Sequence, residues 1–243
     1  MKTYQELVDG LKKIKKQGWK KTHRAGDTGI GKTLEDLLDI DENNFAGPDG
    51  KETELKAARK NASSMLTLFT KSPLPRGINT KLRLEYGYQD EKFPNKPVLR
   101  TTIDSIDYNN IKGKRGFKIV SKEDRIEIQP FRRPVKYPDM SNPYWPKKLF
   151  EESIANKYKK SLLYVKADSR GGGENEEFHF NQAWLLQGFD FTRFSSQLDK
   201  GLLKVDIRLG LYDDGRFHDH GTGVRIQPAL LDLCFTKRVQ ISL

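Results

Sequence analysis

Glu54 and Lys56 stand two residues apart in the segment Pro48-Asp49-Gly50-Lys51-Glu52-Thr53-Glu54-Leu55-Lys56. On an extended strand, residues i and i+2 point to the same face, so one strand aims a carboxylate and an ammonium at a common point. Asp49 lies just upstream, after the turn-prone Gly47-Pro48 pair. A chain built around this segment needs a strand here and a turn before it. Two carboxylates and one amine are the groups that metal-dependent phosphodiester hydrolysis requires. The carboxylates hold a hard cation such as Mg2+. The cation polarises the phosphate and lowers the pKa of a bound water. The lysine orients that water or offsets charge building on the phosphate. A hairpin with solvated charges is the competing reading, because D-x(n)-E-x-K matches arise by chance in charged sequences.

Composition favours a polyanionic partner. The 243 residues carry 44 Lys and Arg against 33 Asp and Glu, a formal net charge of +11, and the pI is about 9.5. A basic surface of this kind suits a phosphate backbone, although a solvated surface without a partner is compatible with it. The length suffices for one large or two-lobed domain. No apolar run approaches a membrane-spanning length, and Met1 to Lys16 alternates charge with apolar residues, unlike a secretory signal. The single cysteine, Cys234, has apolar neighbours and reads as a small core residue, which excludes an internal disulfide and a cysteine-type zinc site. A cytoplasmic protein without a membrane partner is expected.

Residues 3–16 read as an amphipathic helix. Thr3 and Glu6 have capping-box spacing, and Tyr4, Leu7, Val8, Leu11 and Ile14 mark one apolar face. From residue 11 to 24 there are seven Lys and Arg residues and no acidic one, which suits a phosphate-facing edge or a solvated helix face. Gly26-Asp27-Thr28-Gly29-Ile30-Gly31-Lys32-Thr33 matches the P-loop pattern in full. A functional P-loop follows a buried strand, whereas residues 17–25 are polar and basic. The better reading is a glycine-rich loop leading into a helix, with no nucleotide cofactor. Glu35 falls in the first turn of that helix, where a carboxylate suits the positive helix end.

Ser64 to Thr70 is β-prone and apolar, and is expected to join the strand of Glu54 and Lys56 in one sheet that carries those two residues on its surface. The prolines at 73 and 75 end that strand. Residues 85–145 have strand-and-loop character, with Arg125 to Ile128 alternating as a half-buried strand does. Residues 147–160 read as a helix, Leu162 to Ala167 as a buried strand, and Phe191 to Leu198 as a short helix closed by Gly201. In Lys204-Val205-Asp206-Ile207-Arg208-Leu209-Gly210-Leu211 the alternation is strict, so Lys204, Asp206 and Arg208 share one face. His218-Asp219-His220-Gly221-Thr222-Gly223-Val224-Arg225 follows. Arginine offers a bidentate fork to guanine, aspartate accepts from the cytosine amino group, and histidines supply donors, so this strand pair suits a groove reader. A solvated hairpin is the alternative. A metal site at His218 and His220 lacks a third nitrogen ligand.

Taken together, Gly29 to Leu38, Asp49…Glu54-Leu55-Lys56, Leu66 to Pro73, Lys204 to Arg208 and His218 to Thr222 resemble the MvaI/BcnI group of restriction endonucleases, the MvaI branch more closely. The order and approximate spacing hold over most of the chain, and Gly87 to Pro146 contributes least. The resemblance implies a mixed α/β PD-(D/E)xK nuclease fold of the MutH-like kind. Its central mixed sheet would be flanked by helices in a single two-lobed domain over 1–243 with a DNA-binding cleft. The catalytic lobe would include about 1–80 and the recognition elements about 200–228. Asp49 and Glu54 would bind Mg2+, with the Leu55 carbonyl a further ligand. Lys56 would position the attacking water and Glu35 would supplement the site; Asp41 is the alternative to Asp49. Asp206, Arg208, His218, His220 and Arg225 would read bases, with Asp219 and Lys71 also binding DNA. The activity implied is a type II, Mg2+-dependent cut of double-stranded DNA at a short CC-x-GG site, CCWGG first, leaving 5′-phosphates. The enzyme would be a monomer with a cognate DNA methyltransferase as genetic partner. A MutH-like strand-nicking repair enzyme, a non-catalytic DNA-binding module and a P-loop NTPase are the other readings.

Overall fold

The computed structural model describes residues 1–41 and 47–243. In chain order its elements are α1 (Tyr4–Lys16), β1 (Lys20–Lys21), α2 (Gly29–Leu37), β2 (Thr53–Arg59), β3 (Leu66–Thr70), α3 (Ile78–Tyr86), β4 (Tyr88–Gln89), β5 (Pro97–Ile103), β6 (Asn110–Ile111), β7 (Lys114–Arg115), β8 (Phe117–Ser121), β9 (Arg125–Pro130), β10 (Tyr144–Pro146) and α4 (Lys147–Lys157). There follow β11 (Ser161–Arg170), β12 (Glu177–Gln187), α5 (Phe191–Asp199), β13 (Leu203–Leu211), β14 (Phe217–Asp219), β15 (Gly223–Ile226) and β16 (Lys237–Ile241), with 3-10 turns at Gly173–Asn175 and Pro228–Cys234. This is the mixed α+β content that the sequence predicts. Two compact units divide it: Met1–Leu66, Glu151–Arg193 and Gln227–Leu243 form the first, Thr67–Phe150 and Phe194–Ile226 the second. Among the described residues no helix is long and apolar enough to cross a membrane.

The first unit is a mixed sheet with α1 and α2 packed on one face. Among the described residues its order is β1-β12-β11-β2, with β16 also on β12. β2 runs parallel to β11, placing Glu54 beside Leu162 and Lys56 beside Tyr164; β11 and β12 are antiparallel. The predicted capping box starts α1: the Thr3 hydroxyl accepts from the Glu6 N–H at 3.3 Å, and the Thr3 N–H donates to the Glu6 carboxylate at 2.7 Å. That reciprocity satisfies two otherwise orphaned helix-end donors. Leu7, Leu11, Ile30 and Leu34 from α1 and α2 pack in one core cluster with Leu55, Leu163, Val165 and Phe178. Each such side chain contributes roughly 1.5–3 kcal/mol by leaving water. Because Leu55 faces this core, the alternation of β2 turns Glu54 and Lys56 to the opposite face. Cys234 is fully buried, and burial pushes its thiol up to about 12, the behaviour of a core residue.

The second unit is built on a sheet of order β3-β15-β13-β5-β4, with β14 beside β13. A smaller sheet, β10-β9-β8, and the hairpin β6–β7 complete it. Its aromatic core joins Phe69, Trp145, Phe150 and Phe194, with Phe150 5.4 Å from Trp145 and 5.1 Å from Phe194. One expectation is corrected here. β3 does not share a sheet with β2; it lies next to β15. Nor does Glu54 lie on a surface, since it is 0% exposed. The single neighbour of β2 on the sheet path is β11, whose Leu162 to Val165 are fully buried or nearly so. An apolar run buried on both faces is what a parallel partner requires.

Leu34 holds the helix that carries Glu35 against this core. Leu34→Ala should destabilise the protein by about 2–5 kcal/mol through reduced burial and the cavity left behind, measured by urea unfolding. A change below about 0.5 kcal/mol, the range of ordinary surface substitutions, would contradict the packing.

Candidate active site

Asp49, Glu54 and Lys56 meet in the first unit. The turn before β2 is tight: the Gly50 N–H donates to the Thr53 carbonyl and the Lys51 N–H to the Lys2 carbonyl, both at 2.9 Å. A Cβ on Gly50 would lie 2.9 Å from the Lys2 oxygen, so glycine is required for this approach. The turn brings the Asp49 carboxylate to the Leu55 N–H, which donates to it at 2.9 Å. Lys56 Nζ lies 2.5 Å from Glu54 Oε1, and Lys157 Nζ, at the end of α4, lies 3.0 Å from the same oxygen. Glu54 Oε2 is buried and has no hydrogen-bond partner among the described residues.

Burial pushes the Glu54 carboxyl above its ordinary range and Asp49 adds to this, while Lys56 and Lys157 oppose it. Burial also disfavours the Lys56 ammonium, but Glu54, Asp49 and Glu35 together outweigh it and hold its pKa above the usual lysine value. Glu35 lies on α2, beyond the first turn in which the sequence expectation placed it, and its carboxylate favours the charged form of Lys56. A buried carboxylate oxygen with no donor, beside a second carboxylate, fits a hard cation. Among the described residues no cluster of three or more His, Cys, Asp or Glu side chains assembles into a metal site.

The P-loop pattern is a structural loop. Only the two-residue β1 precedes it, pairing with β12. Lys32 is committed to Asp36 at 2.7 Å, and the Thr33 hydroxyl donates to the Gly29 carbonyl at 2.8 Å and accepts from the His23 N–H at 2.9 Å. Arg59, at the end of β2, donates to the Gly26 carbonyl at 3.1 Å and holds Glu176 with two bonds of 2.6 Å. The loop is thus tied to the strand of Glu54 and Lys56.

The second unit brings Asp206, Arg208, His218 and Arg225 to one sheet face, whereas Asp219 pairs with Leu209 on the other. Asp206 is 6% exposed; one of its oxygens accepts from the Thr102 hydroxyl at 2.5 Å and the other from Arg225 at 2.5 Å. Arg208 donates to the Gly221 and His220 carbonyls at 3.1 and 3.0 Å. The His218 and His220 rings share a hydrogen bond of 2.9 Å, so at least one of them is neutral. Burial lowers the pKa of His220, with His218 contributing. Asp219 braces the turn by accepting from Asn79 at 2.9 Å and from the Gly221 N–H at 2.7 Å. Lys71 is fixed through its backbone, its N–H donating to Thr222 and its carbonyl accepting from Trp145 at 3.0 Å. Lys157, Arg100 and Thr102 escaped the sequence reading. Arg100 and Thr102 stand opposite Arg208 and Asp206 in register, and their alternation in Leu99 to Asp104 was the available signal.

Comparison with known proteins places the family and the fold. The sequence model of the MvaI/BcnI restriction endonuclease family covers residues 8–235. Restriction endonuclease MvaI solved as a complex with cognate DNA substrate is 32% identical, covers 99% of both chains and superposes with a TM-score of 0.85. MvaI solved in the absence of DNA, also 32% identical over 99% of this chain and 98% of its own, gives 0.57. The curated proteins give no match. The fold and site therefore define a restriction endonuclease, a site-specific deoxyribonuclease of type II. The chain belongs to the MvaI/BcnI restriction endonuclease family.

The Arg59–Glu176 pair gives this geometry a stability test. Arg59→Met strands a nearly buried carboxylate and should cost about 2–4 kcal/mol in urea unfolding, whereas Arg59→Met with Glu176→Met should recover most of that stability. Equal stability of the wild type and both variants would contradict a structural role for the pair.

Proposed function

We propose that the chain hydrolyses double-stranded DNA with Mg2+ at a short CC-x-GG site, CCWGG first, through Asp49, Glu54, Lys56 and Glu35. The observation carrying this reading is the orphaned, fully buried Glu54 Oε2 beside Asp49 and Lys56. Asp49, Glu54 and the Leu55 carbonyl would hold the cation. When bound, Mg2+ supplies Lewis-acid polarisation of the phosphate and a lowered pKa for water. Lys56, kept charged by its three carboxylate neighbours, orients the water for in-line attack and offsets charge on the phosphoryl oxygens. The water oxygen bonds to phosphorus as the P–O3′ bond breaks, which leaves 5′-phosphate and 3′-hydroxyl ends with no covalent intermediate.

Recognition would come from the second unit. Arg208 and Arg225 suit guanine and Asp206 suits the cytosine amino group, in the major groove, with His218 and His220 as further donors. Asp219 supports the turn that presents them, and Lys71 suits a phosphate. DNA as the ligand is supported by the MvaI relative, which was solved with its cognate DNA substrate. The enzyme acts as a monomer that cuts the two strands in turn, and a cognate methyltransferase protects the host's own sites.

Plasmid DNA should be cut into discrete fragments with Mg2+ and left intact in EDTA, and sequencing the fragment ends should give a CC-x-GG site. Discrete cutting in EDTA would sink the metal-dependent mechanism. Lys56→Ala should slow single-turnover cleavage on the order of 10²–10³-fold, as removal of one electrostatic stabiliser does, while still binding the site. Asp206→Asn should weaken cognate binding by about 1–3 kcal/mol and leave non-cognate binding unchanged. Equal weakening on both DNAs would refute base reading by Asp206.

A further inference from the structure

The segment from Tyr108 to Ser121 carries Lys112, Lys114, Arg115 and Lys118 and no carboxylate. It folds as the hairpin β6–β7, with Asn110 opposite Arg115 and Ile111 opposite Lys114. The two turn residues, Lys112 and Gly113, have φ of 48° and 85°, the double left-handed requirement of a tight two-residue hairpin turn. A lone two-stranded hairpin is marginal in water; this one is fastened at its base. Asn109 donates to the Thr101 hydroxyl at 2.5 Å and to the Thr102 carbonyl at 2.7 Å, and its side-chain oxygen accepts from the Phe117 N–H at 2.8 Å. Gly116 packs so closely that a Cβ there would lie 2.5 Å from Asn109 Oδ1. Thr102 is the residue whose hydroxyl holds Asp206, so the hairpin is anchored to β5, the strand paired with the one that bears Asp206 and Arg208.

Its cations divide in two. Arg115 is committed, paired with Asp107 at 2.8 Å and stacked 4.5 Å from the Phe131 ring centroid. Lys112 and Lys114 are exposed and have no ion pair with a carboxylate among the described residues. Lys112 stands 5.2 Å over the Tyr88 ring. A lysine run that serves only solubility needs no such anchoring. Fixing the backbone in advance lowers the ordering cost that phosphate binding would otherwise carry.

We propose that the β6–β7 hairpin is a backbone clamp in which Lys112 and Lys114 bind phosphates of the duplex flanking the base-reading strands. The proposal rests on the nuclease reading above. The clamp is blind to sequence and sets affinity and register, while Asp206, Arg208 and Arg225 set specificity.

The test is the salt dependence of equilibrium binding to cognate and scrambled duplexes, without Mg2+, by fluorescence anisotropy. The variant is Lys112→Asn with Lys114→Gln; asparagine tolerates the left-handed φ at 112. The slope of log K against log salt should fall in magnitude by about 2, roughly one for each phosphate that the variant no longer neutralises. Both duplexes should weaken by the same factor. Lys112→Arg with Lys114→Arg should keep the wild-type slope, which separates charge from folding. An unchanged slope in the neutral variant overturns the clamp, as does weakening confined to the cognate duplex or a slope that also falls in the arginine variant. Wild-type protein that binds no duplex at all would overturn the nuclease reading together with the clamp, whereas wild-type binding with an unchanged variant slope overturns the clamp alone.

Discussion

Glu54 has no exposed surface, and its carboxylate is held against two ammonium groups, Lys56 of β2 and Lys157 at the end of α4. Removing such charges from water costs several kcal/mol each, and a pair repays this only if all its polar atoms are satisfied. Here one oxygen lies within ion-pair distance of both lysines, and the other has no donor among the described residues. The first unit supplies the compensation elsewhere, through the apolar cluster of α1, α2, β2 and β11 on the opposite face of the sheet. Without that cluster β2 could not be held in place while carrying a half-satisfied charge. Strain of this kind, at one point in an otherwise consistent structure, is characteristic of a functional site. In the proposed function, a hard cation would resolve it by supplying the interaction that Oε2 lacks.

The second unit follows a different logic. Several of its polar side chains are tied to one another without a ligand: Asp206 to Thr102 and Arg225, Asp219 to Asn79 and the Gly221 N–H, Arg208 to two carbonyls. Such bracing fixes rotamers in advance, so a binding partner meets groups already in place. Gly210 and Gly223 allow this crowding, because a Cβ at Gly210 would lie 2.6 Å from the Arg100 guanidinium and one at Gly223 3.3 Å from that of Arg208. The glycines of this face are spacers for arginine.

Much of this was legible in the sequence where the signal was local. The spacing of Thr3 and Glu6 foretold a capping box, the alternation from Lys204 to Leu211 foretold β13, and Glu54-x-Lys56 foretold two side chains on one face. Context also disposed of the P-loop match, since a polar, basic stretch cannot be the buried strand it needs. What failed was long-range. Assigning β2 and β3 to one sheet followed their closeness in the chain, whereas β2 pairs with a strand about a hundred residues later because Leu162 to Val165 offer a run buried on both faces. Lys157 could not be tied to Glu54 for the same reason: no local pattern links a helix end to a strand that far upstream. Residues 87–146, the least readable stretch, hold short strands and the Asn109-anchored hairpin, whose meaning depends on which sheet edge they reach.

The central claim is that the buried Glu54 carboxylate, with Asp49, holds the divalent cation that the hydrolysis needs. Manganese binding followed by electron paramagnetic resonance, on wild-type protein and on Glu54→Gln, tests it most directly, with far-UV circular dichroism confirming that the variant is folded. The account predicts a bound Mn2+ signal in the wild type that disappears in a folded Glu54→Gln. Equal Mn2+ affinity in the two proteins would contradict it.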